Sequence, residues 1–378
     1  MINRIPTSFR FVAFVMLTSD ICAAQFLNID VEPYQISVTA DSLAAAKAAA
    51  VYVGVSTTSV PFKYAGVRPV GDTPNFVVVS PSSGTAPLTI GIGLNLEVVP
   101  YLQPGSYQEA VEFSTPGEAP PYANAVIQLN VAPPPPPAIT SILNSASLQP
   151  SVSPGAMVSI FGSNLGTPPV DGHYDDSGLF PTALGNTTVT FNGTSAALLY
   201  VSTVQINAVV PYEVAGQKSV SVVVTHDSVA SPAFSLPLSA TSPAIFTVSQ
   251  NGQGEGAILN DDPNVAPTPN SAQNPAAKGI PISMYVTGGG LLSQKLQDGG
   301  IPLIIGEPPY FNIAAPVSVK IGGQPAQVIY AGAIPYQVAG MLQVNAIVPS
   351  NIGSGAQPVI LTIGDNDNAA QQVTVAVK

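Results

Sequence analysis

The stretch VQINAVVP at residues 204–211 returns almost unchanged as LQVNAIVP at residues 342–349. In both copies apolar residues alternate with Gln and Asn, which is the period-2 pattern of a β-strand. The repeat therefore indicates an internal duplication of a β-rich domain. Neither copy contains a nucleophile, a general base or a set of metal ligands, so the octad alone predicts no chemistry.

The duplication extends beyond the octads. VSIFGSNLG at residues 158–166 corresponds to ISMYVTGGG at 282–290, and VTFNGTSAALLYVS at 189–202 corresponds to VSVKIGGQPAQVIYAG at 317–332. Asn192 and Gly193, flanked by alternating residues, predict a tight hairpin turn. The repeated order predicts two related units with the same strand plan.

The composition is typical of an all-β protein. The 39 Pro and 33 Gly interrupt the chain too often for long helices, and alternating segments lie between them. One such segment directs Tyr107, Val111 and Phe113 toward a core. Charged residues make up 8% of the chain, against roughly 25% in ordinary domains. The net charge of -11 repels phosphate backbones and excludes nucleic acid as a partner.

The first 24 residues have the pattern of an export signal. Arg4 and Arg10 precede the apolar run FVAFVML, and small residues precede a cleavage site after Ala24. The run is far shorter than the roughly 20 residues of a membrane span. We expect an extracytoplasmic protein, secreted or at the cell surface, with no membrane span after cleavage. Cleavage would also remove Cys22, the single cysteine, and with it thiol chemistry.

Two regions resemble known families. SPSSGTAPLTIGIGLN, LQPGSYQEAVEFST and AVIQLNV occur in the order of the bacterial BACON module across residues 35–131, with Phe76 near the place of its usual Trp. PGAMVSIFGSNLG, SPAIFT, NSAQNPAAKGIPISMYVTGGG and both octads resemble an uncharacterised C-terminal domain family of secreted acidobacterial proteins. The opening of that block is similar to IPT/TIG domains. These resemblances imply immunoglobulin-like sandwiches, carbohydrate binding by the BACON-like part, and no known catalytic residue.

We therefore predict an all-β fold with three immunoglobulin-like β-sandwich domains in tandem. The boundaries are a signal peptide at 1–24, a BACON-like sandwich at 30–132, a polyproline linker at 133–137, an IPT/TIG-like sandwich at 138–240 and a second one at 241–378. The five prolines favour a stiff polyproline II spacer.

The sequence offers few groups for catalysis or metal binding. His173 and His226 lack an accompanying GxSxG motif and are expected to be exposed loop residues. The GGG at 288–290 predicts a turn with positive φ rather than a phosphate loop. Three acidic clusters lack regular calcium-loop spacing, and Asp and Asn between strands usually form turns. They are Asp171, Asp175 and Asp176; Asn260, Asp261 and Asp262; and Asp365, Asn366, Asp367 and Asn368. We predict no catalytic residue, no cofactor and no metal.

The candidate site residues are four amides. Gln205 and Asn207 share one strand face, and Gln343 and Asn345 repeat them. Either they clamp a backbone loop in each sandwich, which we favour because buried amides are usually paired internally, or they line a binding surface. An unchanged melting temperature after alanine substitution of Asn207 and Asn345 would contradict the clamp.

The predicted function is non-catalytic binding, adhesion or surface display, with a polysaccharide or another extracellular protein as ligand. Sugar-binding surfaces often expose aromatic rings. Trp is absent, and Tyr101, Tyr122 and Tyr174 are the loop candidates. The alternative is a glycan-hydrolase accessory chain, or a weak hydrolase whose carboxylates come from different loops, since a glycosidase needs only two carboxylates brought together in space.

Overall fold

The computed structural model describes residues 75–85, 88–99, 102, 105–114, 123–131, 135–302 and 311–378, together with the backbone of five earlier strands. This part of the chain consists of strands, connecting turns and short 3-10 helices, among them Tyr212–Val214 and Ala369–Gln371, without an α-helix. No helix in it has the length and apolarity needed to cross a bilayer. The chain divides into two compact units, residues 1–135 and 136–378, at the predicted proline linker.

The first unit contains two antiparallel sheets. Its described strands are β1 Arg10–Met16, β2 Asn28–Asp30, β3 Gln35–Thr39, β4 Val51–Ser56, β5 Pro61–Pro69, β6 Val77–Ser80, β7 Ser83–Thr85, β8 Leu88–Leu94, β9 Gly105–Ser114 and β10 Ala123–Val131. The sheet orders are β3-β1-β10-β9-β5-β7 and β2-β4-β8-β6. Strand β1 lies in the predicted export signal and pairs with β10 and β3. The export signal and the BACON-like domain stay predictions.

The second unit begins with two sheets around one core. The strands are β11 Ala138–Asn144, β12 Met157–Ser163, β13 Val170–Asp171, β14 Ala183–Leu184, β15 Thr187–Phe191, β16 Thr194–Ser195, β17 Ala197–Val201, β18 Gln205–Val209, β19 Ser219–His226, β20 Val229–Ala230 and β21 Phe234–Pro237. One sheet has the order β11-β12-β18-β17-β13, and the other β14-β15-β19-β20 with β16 and β21 paired at its sides. The core between them, which includes Ile160, Phe191 and Ile206, is fully buried.

Two further sheets enclose a separate core. The strands are β22 Ala244–Ile245, β23 Gly254–Glu255, β24 Ile258–Asn260, β25 Thr268–Pro269, β26 Pro281–Thr287, β27 Val317–Ile321, β28 Gln324–Ala326, β29 Val328–Ala333, β30 Leu342–Ile347, β31 Gly355–Ile363, β32 Asn366–Asp367 and β33 Val373–Val377. The orders are β25-β24-β26-β30-β29, with β22 beside β26, and β23-β33-β31-β27-β28, with β32 beside β31. Ile282, Met284 and Val344 are among the residues at the centre of this core.

The turn prediction is confirmed. Asn192 and Gly193 both have positive φ, 49° and 85°, and they join β15 to β16. Gly322 and Gly323 form the corresponding turn between β27 and β28, again with positive φ at both residues. The all-β prediction is confirmed as well, and the division of the second unit at residue 240 agrees with its two cores while staying a proposal.

Candidate functional site

The repeated octads occupy equivalent places in two equivalent sheets. Strand β18 lies between β12 and β17, and β30 lies between β26 and β29. Ile206 and Ala208 point into one core, while Val344 and Ala346 point into the other. Because side chains alternate along a strand, the Gln and Asn of each octad lie on the outer face of the sheet.

The strand registers show which residues surround the amides, because residues directly opposite one another in an antiparallel pair point to the same face. Gln205 lies opposite Phe161, and Asn207 lies opposite Ser159 and Tyr200. In the second sheet Gln343 lies opposite Tyr285, and Asn345 lies opposite Ser283 and Tyr330. We call these sets the first amide face (Ser159, Phe161, Tyr200, Gln205 and Asn207) and the second amide face (Ser283, Tyr285, Tyr330, Gln343 and Asn345).

Each face contains a hydrogen-bonded amide pair. Gln205 Nε2 donates to Asn207 Oδ1 at 2.9 Å, and Gln343 Nε2 donates to Asn345 Oδ1 at 2.7 Å. Within the described residues this leaves the Gln Oε1 acceptor and the Asn Nδ2 donor of each pair facing solvent. If the N and O atoms of both side-chain amides are exchanged, the hydrogen bond runs in the opposite direction, and each pair again keeps one unused donor and one unused acceptor. Each face therefore presents a fixed donor and acceptor to solvent.

Aromatic rings stand next to the amides on both faces. Phe161, Tyr200, Tyr285 and Tyr330 are half-buried, and none of them belongs to either core cluster. The Tyr330 hydroxyl donates to the carbonyl of Ala333 at 2.6 Å, which holds the ring along its own strand. A β-bulge precedes both Tyr200 and Tyr330 in the pairing with the octad strands, so the aromatic positions repeat together with the amides.

The two faces differ in their serine contacts. Ser283 Oγ donates to Asp261 Oδ2 at 2.9 Å and accepts from Gln343 Nε2 at 3.3 Å. Ser159 instead shares a hydrogen bond of 3.0 Å with Ser145. The six strands that carry the faces contain no charged residue. Each face has one carboxylate at its edge: Asp171 in β13 lies opposite Tyr200 of the first face, and Asp261 accepts a hydrogen bond from Ser283 of the second face.

The geometry differs from the predicted clamp. In the residues that the structure describes, the four amides bond to one another and to Ser283, and none of them holds a backbone loop. Their role in binding stays a prediction. Sequence reasoning missed the aromatic and serine neighbours, although the signal was present: combining the aligned repeats with strand alternation places Phe161 and Tyr285 on the amide side.

One pair of carboxyl groups is brought together from two loops. Glu213, in the 3-10 turn after β18, is hydrogen-bonded to Asp298, in the loop after β26. Glycosidase carboxyls stand roughly 5 to 9 Å apart so that sugar and water fit between them. A directly hydrogen-bonded pair leaves no such gap, so this pair does not provide the geometry of the hydrolase alternative.

The two histidines occupy different environments. His173 is exposed in a loop, as expected, whereas the same expectation for His226 is wrong. His226 ends β19 with 15% of its side chain exposed, its Nδ1 lies 3.0 Å from Thr187 Oγ1, and its Nε2 lies 3.3 Å from Asp227. Thr187 is fully buried and its hydroxyl also contacts the carbonyl of Leu165. A substrate cannot reach this hydroxyl, so the Thr-His-Asp arrangement is structural.

One carboxylate of each acidic cluster stabilises a turn, whereas Asp171 lies in β13 and Asp261 binds Ser283. Asp175 accepts hydrogen bonds from Ser177 and Leu179, Asp262 accepts from Asn264, and Asp367 accepts from the Ala369 N–H. The Ser177 hydroxyl is the main cause that lowers the pKa of Asp175. No group of three or more His, Cys, Asp or Glu side chains in the described residues is arranged to hold a metal ion.

Of the loop tyrosines, Tyr101 and Tyr122 lie outside the described residues. Tyr174 is 54% exposed and meets Phe180 edge to face, with ring centroids 5.9 Å apart. Tyr336, which the sequence did not single out, is 63% exposed with φ of 61°. Tyr174 lies in the loop after β13, and Tyr336 lies in the loop that joins β29 to β30.

Comparison with known proteins identifies one domain. Residues 137–239 match the IPT/TIG domain family and form an IPT/TIG immunoglobulin-like domain. No curated protein matches the chain in sequence. The acidobacterial family resemblance and the BACON module stay predictions.

Two solved structures show distant similarity. One is SGBP-B of the Bacteroides ovatus mixed-linkage glucan utilization locus, in complex with a mixed-linkage heptasaccharide, with 14% identity, a TM-score of 0.28, and coverage of 88% of this chain and 64% of that chain. The other is an endo-fucoidan hydrolase from glycoside hydrolase family 107, with 11% identity, a TM-score of 0.17, and coverage of 83% and 39%. The chain thus spans less than two thirds of either protein, and neither similarity carries a functional argument.

Proposed function

We propose that this chain is an exported, non-catalytic protein that binds a neutral polysaccharide through its two amide faces. The observation that carries the proposal is the solvent-facing donor and acceptor that each amide pair presents beside aromatic rings. Sugar hydroxyls both donate and accept hydrogen bonds, and the C–H faces of sugar rings pack against aromatic rings. The arrangement of both faces fits these two requirements.

The charge distribution favours a neutral ligand. The charged groups at the edges of the two faces are carboxylates, Asp171 and Asp261, and the chain carries a net charge of -11. An anionic polysaccharide would be repelled by this field at long range. A neutral glycan is not repelled by this field and can form hydrogen bonds with the amide pairs.

Duplication implies two sites on one chain. Two weak sites that engage the same polymer raise the apparent affinity well above that of either site, by about 10²-fold or more when the spacing allows both to bind. We therefore expect stronger binding to long chains than to short oligosaccharides.

Affinity electrophoresis in gels that contain a soluble neutral β-glucan, with an alginate gel for comparison, tests the proposal. The Gln205→Ala/Asn207→Ala and Gln343→Ala/Asn345→Ala double variants should each reduce retardation, and the combined variant should abolish it. Ser221→Ala, an exposed serine in β19 of the opposite sheet, is the matched control. Gels with a neutral mannan and a neutral xylan extend the test. The proposal is contradicted if none of the neutral polysaccharides retards the protein, or if the combined variant is retarded as strongly as the wild type.

A further inference from the structure

Backbone hydrogen bonds join the part of the second unit around the first core to the part around the second core, and we call this contact zone the seam. Residues 298–302 form its bridging segment. Phe180 N–H donates to the carbonyl of Gly299 at 2.9 Å, and Ile301 N–H donates to that of Gly178 at 3.0 Å. On its other side, Ala339 N–H donates to the carbonyl of Gly300 at 2.8 Å. The bridging segment therefore bonds to both parts of the unit at once.

A carboxyl pair holds the start of this segment. Asp298 Oδ1 accepts the Tyr212 N–H at 2.9 Å, and Asp298 is hydrogen-bonded to Glu213. Lys295 Nζ lies 3.8 Å from Glu213 Oε1, with both side chains largely solvated. Glu213 and Tyr212 follow β18, whereas Asp298 and Lys295 follow β26, so the pair joins the two parts of the unit.

Two carboxyl groups can form a hydrogen bond only when one of them carries a proton. Burial, followed by the hydrogen bond to Glu213, raises the pKa of Asp298 to about 7, and the bond to Asp298 is the main cause that lowers the pKa of Glu213. Asp298 is therefore the protonated donor and Glu213 the acceptor. The two groups titrate as a unit, and the last proton, which they share, is lost near neutrality.

We propose that Glu213 and Asp298 form a proton-dependent latch that fastens the bridging segment across the seam and loosens when the shared proton is lost. Above neutrality two negative charges face each other at hydrogen-bond distance, and the exposed Lys295 compensates only part of their repulsion. The charged and titratable groups that act on Asp298 in the described residues are Glu213, Lys295 and Tyr212. The Tyr212 phenol stays protonated, because burial raises its pKa above the usual range.

The expected direction follows from proton linkage. The folded pair binds its first proton more tightly than an unfolded carboxyl, whose pKa is about 4. Its contribution to seam stability is therefore fully present near pH 4 and is lost as the pH rises through about 7. The backbone bonds of the seam remain, so the loosening is a local opening and the two parts stay joined.

Hydrogen exchange of the seam amides in the full chain tests the latch. The Phe180 and Ile301 amides, corrected for intrinsic exchange rates, should lose about 10-fold in protection between about pH 5.5 and 8.5. Asp298→Asn keeps an acceptor for Tyr212 and gains a donor for Glu213, yet it cannot ionise, so its protection should not change with pH. Glu213→Gln should behave in the same way, and Glu255→Gln, an exposed carboxylate, should follow the wild type.

The contrary result is equally clear. If seam protection in the wild type is independent of pH, or falls in Asp298→Asn and Glu213→Gln as it does in the wild type, the latch is wrong. The Ile206 amide in β18 serves as an internal reference that the latch does not affect.

Discussion

Glu109 is a carboxyl group at a core position. It lies in β9 between Tyr107 and Val111, is fully buried, and accepts the Phe76 N–H at 3.0 Å through Oε1, while Oε2 has no partner in the described residues. Burial raises its pKa to about 7, against the opposing effect of the Phe76 and Val77 N–H groups. Folding therefore favours the protonated acid, and its stabilisation disappears as the pH rises through about 7.

Replacing Glu109 by Gln should stabilise the protein at alkaline pH. The amide keeps the acceptor for Phe76 but carries no charge, so the cost of burying the carboxylate, about 2–3 kcal/mol for this shift, is removed at pH 8. Thermal unfolding of the full chain should show a higher melting temperature than wild type at pH 8 and little difference at pH 4. Glu97→Gln, an exposed glutamate of the same unit, should show neither effect; a similar gain there would point to general charge reduction instead.

The amide pairs should contribute little to stability. Gln205 and Asn207 are half-buried, so a partner lost by substitution is replaced by water, and we expect Asn207→Ala to cost less than about 1 kcal/mol of unfolding free energy. Asn345→Ala should behave alike. Chemical denaturation measures both changes. A loss above about 2 kcal/mol would restore the clamp interpretation and weaken the case for a binding role.

For single residues, the sequence predicted which side of a strand a side chain is on better than it predicted how deeply that side chain is buried. The repeat and the alternation predict that the four amides share the outer faces of their strands. Alternation alone predicts that Val111 faces the core. The same alternation places Glu109 between Tyr107 and Val111. Carboxylates normally stay at the surface because burying them is costly, so the sequence did not indicate that Glu109 is buried. The sequence predicts an exposed loop position for His226, whereas this residue is the last one of β19 and is half-buried.

The equivalent strand pairs are the clearest result at the scale of elements. Phe161 opposite Gln205 and Tyr285 opposite Gln343 preserve one register in two sheets. Aligned motifs and turn residues predicted this repeat because side-chain period and hairpin turns are local properties. The seam was not predictable, since the pairing of Leu179 with Gly300 joins loops without a periodic pattern.

Substitution of Gly340 tests how much the seam contributes to the free energy of unfolding. Its φ is 103°, and a Cβ there would lie 2.6 Å from the Gly155 carbonyl oxygen across the seam. Gly193, with φ of 85°, has open space around the same position. Gly193→Ala should therefore cost about 1 kcal/mol through backbone strain alone, and Gly340→Ala should cost clearly more and expose the Phe180 amide to exchange. Equal losses of unfolding free energy would show that the seam tolerates displacement.

The whole molecule has two units and, in the second, two faces that begin at one seam. Met157 N–H, at the start of β12, donates to Thr287 Oγ1 at the end of β26 at 2.9 Å. From this contact the first face continues toward Phe161 and the second back toward Tyr285. The division between the units, at residue 135, falls within the proline run, and five prolines cannot join a sheet; the domain boundaries drawn from that run stay a prediction. The joining of the two cores depends on loop contacts that the sequence does not reveal.

The most direct test of the account is the stoichiometry of glycan binding. Isothermal titration of the full chain with a neutral β-glucan hexasaccharide should give two sites per chain. The Gln205→Ala/Asn207→Ala and Gln343→Ala/Asn345→Ala variants should each give one site, with melting temperatures close to wild type. Wild-type stoichiometry in both double variants, or no heat of binding with gluco-, manno- and xylo-oligosaccharides alike, would contradict the claim that the amide faces are the binding sites.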